Sequence, residues 1–195
     1  MNIQDFKPLA PVPSWREIFE KQRELKFMYE PEAKELFENF DIDCFEDQEL
    51  FKKYCWRITE ELTEAEEAHF KEKDAKDHIQ EELIDALNFS IELMLLYGWD
   101  EKDYEPVPST HFGMGILNRT GATIYSLGIT ANCLKNRQWR RSQYLVDLLI
   151  FEKRFKKFLA GGYRQLLEAF GSDLVIRSAW SLKYQVNLFR IQTNY

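Results

Sequence analysis

Two short carboxylate patterns, Glu61-x-x-Glu64 and Glu82-x-x-Asp85, fall within residues 56–89 of the chain. Residues three apart on an α-helix sit roughly 60° apart around its axis, so each pair projects toward one side. Four carboxylates carried by two neighbouring helices suit a hard divalent cation such as Mg²⁺. Such an ion takes oxygen ligands and leaves part of its shell to substrate phosphates. A glutamate pair at this spacing is common on solvated helix faces, so Glu61 and Glu64 alone say little. Two features add weight. Glu60, Glu61, Glu64, Glu66 and Glu67 crowd like charge onto one helix, which is unfavourable without cations nearby. The second pair then recurs beside Asn88, a polar residue in an otherwise apolar run.

The hydrophobic repeat predicts how these residues are held. Phe51, Tyr54, Cys55, Ile58, Leu62, Ala65 and His69 step by three and four, predicting a helix over residues 48–70. With Ile58 at zero on the helical wheel, Leu62 and Ala65 fall within roughly 40°, Glu61 at about −60° and Glu64 at about −120°. A second helix is expected over 77–97, with Asp77 as its N-cap and Gly98 as its stop. With Ile79 at zero, Leu83, Ala86 and Ser90 fall within roughly 40°, Glu82 at about −60° and Asp85 at about −120°. The pairs therefore occupy equivalent shoulders of their apolar stripes. Helices packed through those stripes bring the shoulders together. The intervening turn carries Lys71, Lys73 and Lys76 close to them.

The rest of the chain reads as support. Residues 1–13 form an extended lead-in, Ser14 is a candidate N-cap, and a helix follows over 15–29 with Gln22 near its apolar side. Pro31 opens a second helical piece with Ala33, Leu36, Phe37 and Phe40, which ends in an acidic loop over 41–47. Residues 99–109 read as a loop and 114–134 as a helix with Gly121 and Gly128, small residues that let another helix approach closely. Residues 136–141 form a basic turn. Ser142 caps a helix that runs to Leu159, with Leu145, Leu148, Leu149, Phe155 and Leu159 inside. Gly161-Gly162 breaks it, leaving two helices over 163–170 and 173–194. No strand alternation of useful length appears, so the expected fold is all-α, a multi-helix bundle in a single domain over 1–195.

Composition narrows the function classes. The chain has 195 residues, a formal net charge of −7, 45% hydrophobic and 30% charged residues, an ordinary globular balance. So acidic a chain is unsuited to general nucleic-acid binding, which wants a basic face. Cys44, Cys55 and Cys133 show no metal or disulfide spacing and read as thiols of a reducing compartment. The longest apolar run, 86–97, is broken by Asn88 and Glu92 and is too short to span a bilayer. With no signal-peptide pattern at residues 1–15, a soluble cytoplasmic protein without membrane or nucleic-acid partners is expected. A di-iron bundle needs two Glu-x-x-His motifs, and only Glu66-x-x-His69 is present. No P-loop, G-x-S-x-G or Cys/His array occurs.

The pattern E-E-x-x-E at 60–64 followed by E-E-x-x-D at 81–85 resembles the all-α nucleoside triphosphate pyrophosphohydrolases, the superfamily of dimeric dUTPases and MazG proteins. EELIDALNF, 81–89, is similar to the dUTPase form of the second motif. Lys183-x-x-x-Asn187-x-x-Arg190 is similar to a C-terminal element of dimeric dUTPases and their phage relatives, and IFEKQREL, 18–25, resembles the helix whose glutamine contacts the base, here Gln22. Two departures stand out: His69-Phe70-Lys71 replaces a Trp-Lys element, and Asn88 stands where dUTPases often carry histidine. The resemblance implies Mg²⁺-dependent conversion of dUTP to dUMP and pyrophosphate. A MazG-like or dCTP-directed pyrophosphohydrolase and a non-catalytic helical interaction protein on the same scaffold are the alternatives. By the same resemblance Glu61, Glu64, Glu82 and Asp85 hold two or three Mg²⁺ ions, for which Mn²⁺ can substitute, and Glu61 orients or deprotonates the attacking water. Lys71, Lys183 and Arg190 hold phosphates, Asn187 bonds the deoxyribose, and Gln22 and Asn88 face the nucleoside. A homodimer is also implied, with Gly121 and Gly128 on a candidate contact face.

Overall fold

Ser14 starts the first helix as its position predicts. Its hydroxyl accepts from the Glu17 amide at 3.3 Å while the Glu17 carboxylate accepts from the Ser14 amide at 2.7 Å, a reciprocal capping box. In the computed structural model, which describes residues 7–104, 116–136 and 144–193, seven α-helices and no strand occur among the described residues. They are α1 (Trp15–Tyr29), α2 (Ala33–Glu38), α3 (Phe45–Lys71), α4 (Lys76–Leu96), α5 (Ile116–Ala131), α6 (Leu148–Phe170) and α7 (Asp173–Thr193). None of these helices is long and apolar enough to cross a membrane.

The α3–α4 hairpin is the most extensive helix pair, and its buried stripes are nearly those of the repeat. α3 buries Phe51, Tyr54, Cys55, Ile58, Leu62 and Ala65, but the next buried position is Ala68, and His69 is exposed. The helix also begins at Phe45, so Glu46 and Asp47 lie in its first turn and not in an acidic loop. There their charges favour the positive end of the helix dipole. Asp77 is likewise inside the first turn of α4, and Ala75 occupies the N-cap. At the other end the expected stop is present. Gly98 sits at φ +82°, its amide bonds Leu95 O at 3.1 Å, and Trp99 N bonds Met94 O at 2.9 Å. This is a Schellman turn, which needs a residue that tolerates the left-handed region.

α5 and α6 form a second hairpin against the first, and α1 and α7 close the remaining side. α6 runs unbroken through Gly161 and Gly162, contrary to the expected break. A mid-helix glycine costs about 1 kcal/mol relative to alanine. Phe158, Leu159, Tyr163 and Leu166 are buried on both sides of the pair, each worth about 1.5–3 kcal/mol, so packing outweighs propensity. The same helix starts later than expected, at Leu148 with Asp147 as its cap, and Leu145 and Leu149 are 81% and 83% exposed. The inward face instead carries Phe151, Phe155 and Phe158. Ser142, Met114, most of the basic turn and Asn194 lie outside the described residues.

An aromatic cluster fills the centre. Phe155 packs against Phe51 (5.5 Å between centroids) and Trp99 (4.9 Å, stacked), and lies parallel to Phe158. Trp99 and buried Tyr104, the first part of the expected loop, therefore belong to the core. The lead-in follows α7: Leu9 N bonds Ser181 Oγ at 3.1 Å, and Arg177 Nη1 bonds Pro13 O at 2.6 Å.

Candidate metal centre

Packing α3 on α4 through the predicted stripes brings the two acidic shoulders face to face. Glu61, Glu64 and Glu82 each present an oxygen within 4.8 Å of the others. Glu61 is pushed up to about 8, first by burial, then by a hydrogen bond shared with Glu82, then by the charges of Asp85, Glu82 and Glu64. Glu82 is raised as well, again by burial first. Carboxylates this close oppose one another's ionisation, which holds both groups above their ordinary range. The cluster is the only group of three metal-ligating side chains found among the described residues.

Asp85 stands beside the trio but turns to a cation of the protein itself. Lys183 of α7 places its ammonium 2.6 Å from Asp85 Oδ2 and 2.8 Å from Glu81 Oε1. Burial works to lower the Lys183 pKa, yet these carboxylates hold it above its usual value. Asp85 is itself raised by burial against the pull of Lys183. His78 bridges Glu72 (Nδ1, 2.7 Å) and Glu82 (Nε2, 3.0 Å), and so fixes the direction of the Glu82 carboxylate.

The deeper end of the site lies between α1 and α4. Gln22 Nε2 donates to Glu92 Oε1 at 2.9 Å, and Lys26 Nζ lies 3.4 Å from Glu92 Oε2 and 2.8 Å from Glu30 Oε1. Burial raises the Glu92 pKa first, with Lys26 and Gln22 opposing it. Asn88 is buried and donates to Asp85 Oδ1 at 3.4 Å. The fold thus gathers Asn88 and Lys183 around the Asp85 end of the cluster, and sets Gln22 on Glu92 two turns farther along α4. Asn187 and Arg190 continue the Lys183 face about 6 and 10 Å farther along α7. The Arg190 guanidinium is 3.5 Å from Asn187 Oδ1, and the Asn187 carbonyl accepts from Tyr29 Oη at 3.3 Å. Lys71 pairs with Glu67 on the exposed face of α3.

Sequence reasoning passed over Glu81, His78, Lys26 and Glu92 as site members. Only Glu92 leaves a local trace, as a charge inside the apolar run of α4. Glu81 and Lys26 are ordinary surface residue types until a distant helix is laid against them, and His78 is one until the turn sets it between Glu72 and Glu82.

Together these features define an all-α bundle with a carboxylate cluster mounted on one helical hairpin. No family model matches the chain, nor does any curated protein or solved structure.

Proposed function

We propose that the chain is a Mg²⁺-dependent nucleoside triphosphate pyrophosphohydrolase that releases a nucleoside monophosphate and pyrophosphate. The observation that carries this reading is the Glu61–Glu64–Glu82 cluster with its raised Glu61. Three carboxylates and no sulfur or nitrogen donor among them fit a hard cation, with Asp85 adjacent as a fourth. When bound, Mg²⁺ supplies neutralising charge at the phosphoryl oxygens and acidifies a water. Glu61, half-buried at the centre of the cluster, takes the proton of the attacking water. Lys183, held beside Asp85, offers its ammonium to a phosphate oxygen, and Arg190 farther along the same helix suits a bidentate contact. Asn187 between them bonds the sugar.

The resemblance implies dUTP as the substrate. A dCTP-directed enzyme is the second reading, favoured by one observation: the Gln22 amide nitrogen is committed to Glu92, leaving its carbonyl as the free end. A homodimer through α5 accompanies either reading, since Gly121 and Gly128 are exposed and a Cβ at either position would meet nothing within 4 Å.

The test is pyrophosphate release from dUTP, dCTP, dATP, dGTP and dTTP with Mg²⁺, in wild type and Glu82→Gln. The variant should fold normally and lose at least about 100-fold in rate, because a ligand with a fixed orientation is gone. Full activity in Glu82→Gln would sink the proposal.

A further inference from the structure

The carboxylates around the site fall into two groups, and the fold supplies a cation to only one of them. With Ile79 at zero on the wheel of α4, Glu82 lies at about −60°, Asp85 at about −120° and Glu81 at about −160°. Glu82 faces α3 and meets Glu61 and Glu64, while Asp85 and Glu81 face α7. Glu81 and Asp85 are one turn apart, so a single group from α7 can reach both. Lys183 does so, with its Nζ 2.6 Å from Asp85 Oδ2 and 2.8 Å from Glu81 Oε1. The other Asp85 oxygen accepts from Asn88 Nδ2 at 3.4 Å. Both oxygens of Asp85 are therefore met by the protein itself. Glu61, Glu64 and Glu82 are in the opposite condition. Their oxygens gather within 4.8 Å of one another, and Asp85 is outside that group. Among the described residues no lysine or arginine pairs with any of the three, and only the His78 ring reaches Glu82.

Lys183 is not a loose surface cation. Its side chain is 10% exposed, and Trp180 and Tyr184, buried on the same face of α7 and stacked at 5.3 Å, hold that helix against the bundle. An ammonium has three N–H donors and no acceptor. Two are directed to Asp85 and Glu81, which leaves the third for a phosphate oxygen. A metal ion between carboxylates and a phosphate would balance the same charges. A second divalent ion on Asp85 would stand beside the ammonium, like charge against like. Otherwise it would take the carboxylate and leave a buried ammonium short of a partner, which is costly.

We propose that the Lys183 ammonium takes the place of a second metal ion, so that the protein without nucleotide binds one divalent cation per chain, on Glu61, Glu64 and Glu82. This departs from the two or three ions that the resemblance implies. It deepens the pyrophosphohydrolase reading and rests on it for the use of the metal. Asp85 is then a positioning residue, which holds Lys183 in place and does not ligate the ion.

The experiment counts Mn²⁺ bound without nucleotide, read from the electron paramagnetic resonance of the free ion, with calorimetric titration of Mg²⁺ alongside. Wild type should take up one ion per chain. Asp85→Asn should also take up one, with its affinity within about tenfold of wild type, because no ligand has been removed. Lys183→Met removes the ammonium but keeps most of the side-chain bulk. It should take up two ions per chain, and fall back to one when Asp85→Asn is added. Two or more ions in wild type overturn the inference. So does a greater loss of affinity in Asp85→Asn, or a single ion in folded Lys183→Met. Should Lys183→Met fail to fold, the counts in wild type and Asp85→Asn decide. No uptake by wild type overturns the inference together with the pyrophosphohydrolase reading. One ion per chain with no pyrophosphate release from any of the five triphosphates would refute the catalytic reading alone.

Discussion

Adding Mg²⁺ at pH 7 should expel a proton from the Glu61–Glu82 pair. Glu61, pushed up to about 8 by burial, by the hydrogen bond it shares with Glu82 and by the neighbouring carboxylates, holds about 0.9 proton at pH 7. A cation that binds these oxygens needs them ionised, so binding releases about 0.9 proton at pH 7 and about 0.1 at pH 9. Apparent affinity should therefore tighten about tenfold per pH unit up to roughly pH 7.5 and level off above 8. Without the cation the sign of the stability effect follows directly. The folded state binds more protons than the unfolded one, whose glutamate titrates near 4.5, so stability falls as pH rises from 4.5 to about 8. Because Glu61 is only half-buried, screening holds the loss to about 1–2 kcal/mol. Mg²⁺ should recover it, raising Tm more at pH 8 than at pH 5.5. Calorimetric titration at pH 7 in two buffers of different ionisation enthalpy reads the proton count. Release below about 0.2 proton, with affinity flat from pH 6 to 8, would refute the shared-proton arrangement.

Other consequences are as direct. Lys183→Ala strips Asp85 of its ammonium in a largely buried setting and should destabilise the fold by about 2–4 kcal/mol in urea unfolding; a change under about 0.5 would show that the pair is not structural. Gly161→Ala and Gly162→Ala should each stabilise by about 0.5–1 kcal/mol, since both lie inside α6 and an added Cβ meets nothing closer than Thr123 Oγ1 at 3.8 Å. Gly98→Ala should do the opposite by about 1 kcal/mol, because φ is +82° there. Phe155→Ala should cost about 3–5 kcal/mol by leaving a void among Phe51, Trp99 and Phe158, and a cost under 1 would contradict that packing.

The parts legible in sequence share one property: they depend on neighbours within a turn or two. The α3 and α4 stripes, the Ser14 capping box and the Gly98 stop are local, and helical geometry turns spacing into direction without help from the rest of the chain. Hence the shoulders carrying Glu61, Glu64 and Glu82 were readable to within a fraction of a turn. The errors arose where local preference and packing disagree. Gly161-Gly162 looks like a break, and the buried faces on both sides override it. His69 continues the repeat in sequence, yet Ala68 takes the buried position and His69 is exposed.

What the amino-acid sequence alone determined is therefore the all-helical class and the pair of acidic faces, because periodicity and capping are written within each segment. What only the tertiary structure decided is the state of those faces. Lys183 meets Glu81 across 102 residues, Gln22 meets Glu92 across 70, and His78 links Glu72 to Glu82 around the turn. Burial then raises Glu61 and Asp85 and leaves the carbonyls of Gln22 and Asn88 unmet. The ion pairs of Lys183 and of Glu92 depend on what distant helices place alongside, and no spacing within one helix encodes them.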